Sequence, residues 1–478
     1  MLLFEDKVKE YCGIFGISCN DFNYSIAGLI YKGLMALQHR GQIFSGLSTT
    51  HCLNKIFSYK NKGIVSKVLT PRKLKKLPGN VGIGHVCSRG GGLHTIEDAQ
   101  PYHHKSKEIE FSVSMNGIIS NHDEILQKLE NMGRIFTGNT DIELISTIIE
   151  TFSRFSENTM NSLELMMDVL EGGYSLILLE PNGKLYALRD PLGFKPLCFG
   201  KLNLENRSFL IVTTESSALD VMGAELIREL YPGEILEIDP NKPYKSFMAK
   251  SQGKQKFCSF EYIYFARPDS IIENRSVFDI RYKLGRKLAN KDKFDSDNAI
   301  VVPVPDSGRS AAMGYAWESG IPYQEGLIKN RYVWQLKVDD IKEKLNPIEN
   351  VVNRKDIILI DDSILSGITM KKLISMLRDA GANSIHVRIS APPIINNCKF
   401  NNSFSNRDLL IAYQKKLQMS ENYIEEIRKY IDADSLIYQL TDDLITAIGL
   451  NSNQICCDCF PEPQTKIKKK PLGNLVHL

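Results

Sequence analysis

The sequence predicts two units of different class, a layered α+β unit over residues 12–245 and an α/β unit with a parallel sheet over residues 256–460. Three observations predict this. In the first half the apolar runs are short, β-like and broken by Gly, and they outnumber the helical stretches between them. In the second half the apolar runs are continuous, as strands buried on both faces of a parallel sheet require. Between the halves lies Asp239–Gln255 (DPNKPYKSFMAKSQGKQ), a polar stretch with Pro, Gly and Lys, and the boundary is placed there.

Taken in order, the first unit offers strands at Cys12–Ser18, Val81–Val86, Phe111–Met115, Tyr174–Leu179 and Phe209–Thr213. Helices are expected at Ile26–Leu37 and Ile142–Phe152, where apolar residues recur at three- and four-residue spacing. The second unit offers strands at Ala299–Val304 and Ile357–Ile360, each leading through a Gly-containing turn into a helix, Ser310–Glu318 and Thr369–Ala380. Gly381 is a natural C-cap, and Ile385–Ile389 returns as a strand. Strand, loop, helix and strand make the βαβ unit of a doubly wound sheet.

The chain of 478 residues has length for about three domains or two large ones. A hydrophobic content of 43% and a charged content of 24% are those of a globular protein that builds its core without staples. A formal net charge of +3 argues for neither a nucleic-acid nor a membrane-surface partner. The basic run Lys466–Lys470, in a tail over 461–478, reads as solvated chain. No stretch reaches the roughly 18 consecutive apolar residues of a membrane span. The N-terminus lacks the apolar core of a secretory signal, so a cytoplasmic location is expected. Ten cysteines are too few for a disulfide scaffold in a chain this long, which leaves them catalytic, metal-binding or inert.

The most specific local signal is Ile358–Thr369, ILIDDSILSGIT. A buried strand ends in two carboxylates, Asp361 and Asp362, and enters a Ser-Gly-x-Thr turn that opens a helix. Ligands of open α/β sheets sit at the carboxyl ends of strands. Backbone N–H groups of Ser366, Gly367 and Thr369 suit a phosphate at the positive end of the helix. The carboxylates suit ribose hydroxyls and Mg²⁺ held through its water shell. A lone pair of Asp residues also caps helices, but the surrounding turn favours the site. This segment resembles the signature of type I phosphoribosyltransferases. The upstream turn Pro303–Ser310 (PVPDSGRS) places Ser307 within reach of the same metal and is weak on its own.

Cys12 opens CGIFGI, where a cysteine is more often core packing than nucleophile. The order of motifs changes that reading. CGIFGI, Gln38–Gln42 (QHRGQ), Gly82–Val86 (GIGHV), Ala99–Pro101 (AQP), Asn116–Gly117, Asp141 and Arg189–Leu197 (RDPLGFKPL) follow the order of N-terminal-nucleophile, class II glutamine amidotransferases. With Glu261–Asp269 (EYIYFARPD), Val302–Arg309 and Gly326–Val333 (GLIKNRYV), the chain from Cys12 to about Phe460 resembles the amidophosphoribosyltransferase family. The resemblance implies glutamine and phosphoribosyl pyrophosphate as substrates, purine nucleotides as inhibitors and a homo-oligomer. It makes the Cys12 thiol the nucleophile, with its own α-amine, of unperturbed pKa about 7.7–8.0, as general base. Residues 1–11 convert that amine into an amide, so they are expected to be a propeptide cleaved between Tyr11 and Cys12. By the same resemblance Asn116 and the Gly117 N–H form the oxyanion hole, and Asp141 holds the glutamine ammonium.

Cys456 and Cys459 form a C-x-x-C pair that alone fits zinc, redox chemistry or nothing. One branch of the family carries a structural [4Fe–4S] cluster. Its ligand positions fall here on Cys258, Cys398, Cys456 and Cys459, the four thiolates that such a cluster needs. Cys457 is read as a bystander.

Several positions depart from the family. Cys87 stands where the family has an arginine that grips the substrate carboxylate. Arg89, two residues on and on the same side of an extended segment, is a candidate replacement, and loss of glutamine binding is the alternative. Ile43 replaces an acidic residue, Met115 a histidine and Ser366 an arginine. The loop between Val333 and Lys344, which closes over the sugar diphosphate, is shorter than in the family. These changes raise a second reading, a weakly active or regulatory relative. A glutaminase joined to a sugar isomerase does not fit the phosphoribosyl loop.

Overall fold

The computed structural model describes residues 12–51, 55–88, 96, 99–138, 140–250, 254–330, 341, 344–400, 407–418 and 422–463. Among these residues the first unit contains the strands β1 (Cys12–Cys19), β2 (Phe44–Thr50), β3 (Ile56–Lys62), β4 (Val81–Cys87), β5 (Tyr102–Lys105), β6 (Glu110–Ile119), β7 (Gly172–Leu179), β8 (Leu185–Arg189), β9 (Cys198–Leu204), β10 (Arg207–Thr213), β11 (Glu225–Glu229), β12 (Glu234–Ile238) and β13 (Lys245–Met248). They form two antiparallel sheets, ordered β11-β9-β10-β1-β4-β2-β3 and β13-β12-β8-β7-β6-β5. β13 lies inside the polar stretch expected to separate the units. Among the described residues it pairs with β12 alone, and it is exposed along its length, so it lacks the apolar face that marks a strand in sequence.

Side-chain alternation explains the layering. In β1, Ile14 joins Ile83, Ile177 and Leu185 in the core between the sheets, while Phe15 and Ile17 point the other way. That outer face packs under the helix Ala27–Ala36. On the second sheet the helices His122–Asn131, Asp141–Ser153 and Thr159–Val169 cover Val113, Met115 and Leu176. The result is helix, sheet, sheet, helix, with the start of β1 at one end of the inter-sheet core.

The second unit contains β14 (Phe257–Cys258), β15 (Ile271–Ile272), β16 (Arg275–Ser276), β17 (Ala299–Pro303), β18 (Leu327–Lys329), β19 (Leu345–Pro347), β20 (Asp356–Asp361), β21 (Ser384–Ile389), β22 (Ser435–Tyr438) and β23 (Ile455–Cys456). Its central sheet is parallel, ordered β17-β20-β21-β22. After β17 the chain runs through helix Arg309–Ser319 and bridges the far side of β17 at Tyr323, then returns to the near side as β20. The gap between the ends of β17 and β20 is therefore the topological switch point, where such sheets bind ligands.

The units meet through buried charge. Arg40 bonds Glu215 of its own unit and Glu261 of the other, with all three side chains almost fully buried. Arg189 reaches Glu273 at 2.8 Å, and the rings of Phe194 and Phe400 lie 4.7 Å apart. No helix among the described residues is long and apolar enough to cross a membrane.

Candidate functional site

At the inter-sheet end of the first unit, Cys12 opens β1 and Cys87 closes β4, directly opposite each other in register. Their sulfurs are 3.5 Å apart, in a small buried cluster with Phe44 and Ala99. Next to β1 across the sheets runs β6, which carries Asn116 and Gly117. Asn116 is wholly buried, and among the described residues neither atom of its amide has a hydrogen-bond partner. An orphaned buried amide costs about 1–3 kcal/mol, which marks it as a group awaiting a ligand. Gly117 has φ +139°, and a Cβ there would sit 2.1 Å from the Gly173 carbonyl oxygen, so no other residue fits.

The residue before this pair is clamped. Met115 donates its N–H to the Gln100 Oε1 at 2.7 Å, and its carbonyl accepts from His85 Nε2 at 3.1 Å. Burial holds the His85 ring down to about 3, so it is neutral. Asp141 begins the helix Asp141–Ser153, capped by Thr140. One of its oxygens accepts the Ile119 N–H, and the other lies 2.6 Å from His122 Nδ1. His85, Gln100 and His122 were given no role by the sequence reading. The first two lie inside quoted motifs, and His122 follows the NGIISN run with no signal of its own. Arg89, residues 1–11 and most of the loop between Val333 and Lys344 lie outside the described residues, as does most of the basic tail.

The second site forms at the switch point. Asp361 ends β20 and Asp362 follows it directly, both as buried carboxylates. Asp361 Oδ1 accepts the Asp362 N–H at 2.8 Å, and Ser363 donates to Asp362 Oδ2 at 2.5 Å. The turn then runs through Ser366, whose hydroxyl accepts the Ile368 N–H, and Gly367 to the helix Ile368–Asp379, with Thr369 in its first turn. Ser307 lies in the turn after β17. That turn is strapped to β20: the Val304 N–H donates to the Ile360 carbonyl at 2.8 Å, and a Cβ on Gly308 would sit 2.4 Å from the same oxygen. The backbone carrying Ser307 thus rests against the residue before Asp361. Two basic residues stand beside the turn, Arg309 and Lys329, bonded to Asp306 at 3.0 and 2.8 Å. Buried Arg281 braces the segment behind the site, donating to the carbonyls of Tyr262 and Ala266. Burial pulls its pKa down to about 10, against the charge of Asp362.

A third group of residues lies between the units. Parallel pairing of β14 with β23 sets Cys258 opposite Cys456, and the Cys459 carbonyl accepts the N–H groups of Ile395 and Asn396, just before Cys398. All four thiols line one cavity of about 310 Å³ walled by Phe194, Phe260, Phe265 and Phe400. Cys457 does not line it. Burial pushes the Cys456 thiol up to about 12, and raises Cys258 and Cys459 well above the usual thiol range. Anionic sulfurs here need a cationic partner. Among the described residues no three His, Cys, Asp or Glu converge closely enough to hold a single metal ion. Four thiols spread around a void suit a multi-atom cluster rather than one ion, and at the switch point Mg²⁺ would need oxygens from water or substrate besides Asp361, Asp362 and Ser307.

A family model for a glutamine amidotransferase domain matches residues 93–221. An amidophosphoribosyltransferase of Methanothermobacter thermautotrophicus is 40% identical, covering 97% of this chain and 97% of its own length. A solved structure described as the allosteric regulatory enzyme of purine biosynthesis superposes with a TM-score of 0.85 at 34% identity, covering 94% of this chain and 95% of its own. The glutamine phosphoribosylpyrophosphate amidotransferase of B. subtilis, complexed with ADP and GMP, gives 0.83 at 34% identity, covering 94% and 96%. The two-unit fold is thus a glutamine amidotransferase unit joined to a phosphoribosyltransferase unit, and the chain belongs to the amidophosphoribosyltransferase family.

Proposed function

We propose that this chain moves the amide nitrogen of glutamine onto phosphoribosyl pyrophosphate, giving 5-phosphoribosylamine, glutamate and pyrophosphate, the first step of purine synthesis. The observation that carries the reading is the buried, unpartnered amide of Asn116 on the strand facing the one that Cys12 opens. The Cys12 sulfur attacks the amide carbon, its proton passes through the α-amine to the leaving ammonia, and a thioester forms. Asn116 and the Gly117 N–H hold the oxyanion, and Asp141, oriented by His122 and Ile119, takes the substrate ammonium. Water then frees glutamate. Ammonia passes to the switch point and displaces pyrophosphate from C1 of the sugar. There the turn Ser366–Thr369 takes the 5-phosphate, and Asp361 and Asp362 take the ribose hydroxyls. Ser307, Asp361 and Asp362 would hold Mg²⁺ there, and the ion would supply neutralising charge for the diphosphate.

Residues 1–11 are removed to expose the Cys12 amine, and Arg89 grips the glutamine carboxylate. A [4Fe–4S] cluster on Cys258, Cys398, Cys456 and Cys459 holds the two units together. Purine nucleotides inhibit, and the assembly is a homo-oligomer. Neither the fold nor the comparisons favours the second reading of a regulatory relative.

The test separates the nitrogen sources. Pyrophosphate release is measured with glutamine and with ammonia, alongside intact mass and the iron and sulfide content. Release with both, a chain starting at Cys12 and bound iron with sulfide are expected. Release with ammonia alone, or a persistent Met1, would overturn glutamine use.

A further inference from the structure

Cys12 sits against a second thiol, Cys87, to which the reaction gives no part. They are directly opposed on neighbouring antiparallel strands, with both side chains on the inter-sheet side and their sulfurs 3.5 Å apart. Opposed residues on such strands have Cα atoms about 4.5–5.5 Å apart, inside the roughly 4.4–6.8 Å that a disulfide spans. The sulfurs, 3.5 Å apart, would close to the S–S bond length of about 2.05 Å. We propose that Cys12 and Cys87 are a modification site, oxidised to a reversible disulfide by small disulfides that enter where glutamine enters. The proposal rests on Cys12 being the glutamine nucleophile.

The step balances as two exchanges. One protein sulfur, as thiolate, attacks the small disulfide RSSR; an S–S bond forms to the protein and the first RS⁻ leaves and takes up a proton. The second protein thiol gives up its proton and attacks the protein sulfur of that mixed disulfide, expelling the second RSH. The protein pair loses two electrons and RSSR gains them. Fixed 3.5 Å apart, the second sulfur competes with external thiols at high effective concentration, so the internal disulfide wins over the adduct. Access is not an obstacle. Cys12 is only 7% exposed and Cys87 5%, but the site must admit a glutamine side chain to the same sulfur. The bond ties up the nucleophile and leaves the switch point untouched.

The test treats the full-length protein, without air, with hydroxyethyl disulfide and then with dithiothreitol. Both nitrogen sources are assayed, and tryptic peptides are weighed. Glutamine-dependent pyrophosphate release should fall by at least about tenfold while ammonia-dependent release stays within about twofold, and dithiothreitol should restore the first. The peptide bearing Cys12 should be found joined to Leu77–Arg89, which carries Cys87. In Cys87→Ser the same treatment should leave a hydroxyethyl adduct on Cys12 and no joined peptide. An adduct on Cys12 without joined peptides in the unaltered protein would overturn the proposal, and so would equal loss of both activities. If the reduced protein never uses glutamine, the functional reading fails separately. The joined peptide would then still support the thiol pair, and its absence would refute it.

Discussion

The two reaction sites are built on opposite plans. The switch-point site is nearly contiguous: a strand, two carboxylates and a turn within Ile358–Thr369, with Asp362 already bonded to its neighbour Ser363. The glutamine site is assembled from ends of strands far apart in sequence, β1, β4 and β6, and leaves the Asn116 amide unsatisfied. A contiguous site that satisfies itself is stable when empty. A dispersed one with an orphaned amide carries a cost until its ligand arrives, so its precision depends on clamps such as His85 and Gln100 holding Met115.

That contrast is broken most directly by removing the nucleophile. Cys12→Ala should lower glutamine-dependent pyrophosphate release by at least about 10³-fold and leave ammonia-dependent release within about twofold. If both fall together, the sites are not separate. The converse substitution, Asp361→Asn with Asp362→Asn, should lower release with either nitrogen source by about 10²-fold or more, since both routes end at the same sugar. Retention of the ammonia route would show that the carboxylates hold nothing of the substrate.

Asn116→Ala sharpens the contrast further. Loss of one oxyanion donor should cost about 10²–10³ in kcat with glutamine. The melting temperature should hold or rise, because a buried amide with no partner is removed. A marked drop in melting temperature would mean that the amide is already satisfied.

The smallest effect concerns pH. His85 is held neutral in the fold, with its pKa pushed down to about 3 by burial, against about 6.5 in the unfolded chain. Its contribution to stability is fully present above about pH 6.5 and is lost progressively as pH falls towards 3. His85→Asn should therefore flatten the fall of melting temperature between pH 7 and 4, measured by calorimetry. An unchanged slope would mean that His85 is not the group responsible.

The same contrast sets what was legible in the sequence. Continuous apolar runs gave β17, β20 and β21 almost to the residue, and the strand–turn–helix around Asp361 was readable because its chemistry is local. β13 was not readable, since an exposed edge strand of Lys, Ser, Phe and Met has no buried face to impose a pattern. Cys12 was ambiguous by spacing and became a candidate only through the order of motifs. The pairing of Cys12 with Cys87 depends on the register of two strands about seventy residues apart, which no local pattern encodes. The gathering of Cys258, Cys398, Cys456 and Cys459 around one cavity likewise follows from the parallel pairing of β14 and β23, although the C-x-x-C spacing hinted at half of it. His122 was missed because a histidine one residue past a turn carries no pattern until Asp141 folds onto it.

The central claim is that nitrogen released at the dispersed site is consumed at the contiguous one in the same molecule. Glutamate and pyrophosphate can be counted together in one reaction supplied with glutamine and phosphoribosyl pyrophosphate and no added ammonia. Equal amounts of the two products at every time point are predicted. Glutamate accumulating without matching pyrophosphate, or no pyrophosphate until ammonia is added, would contradict the account.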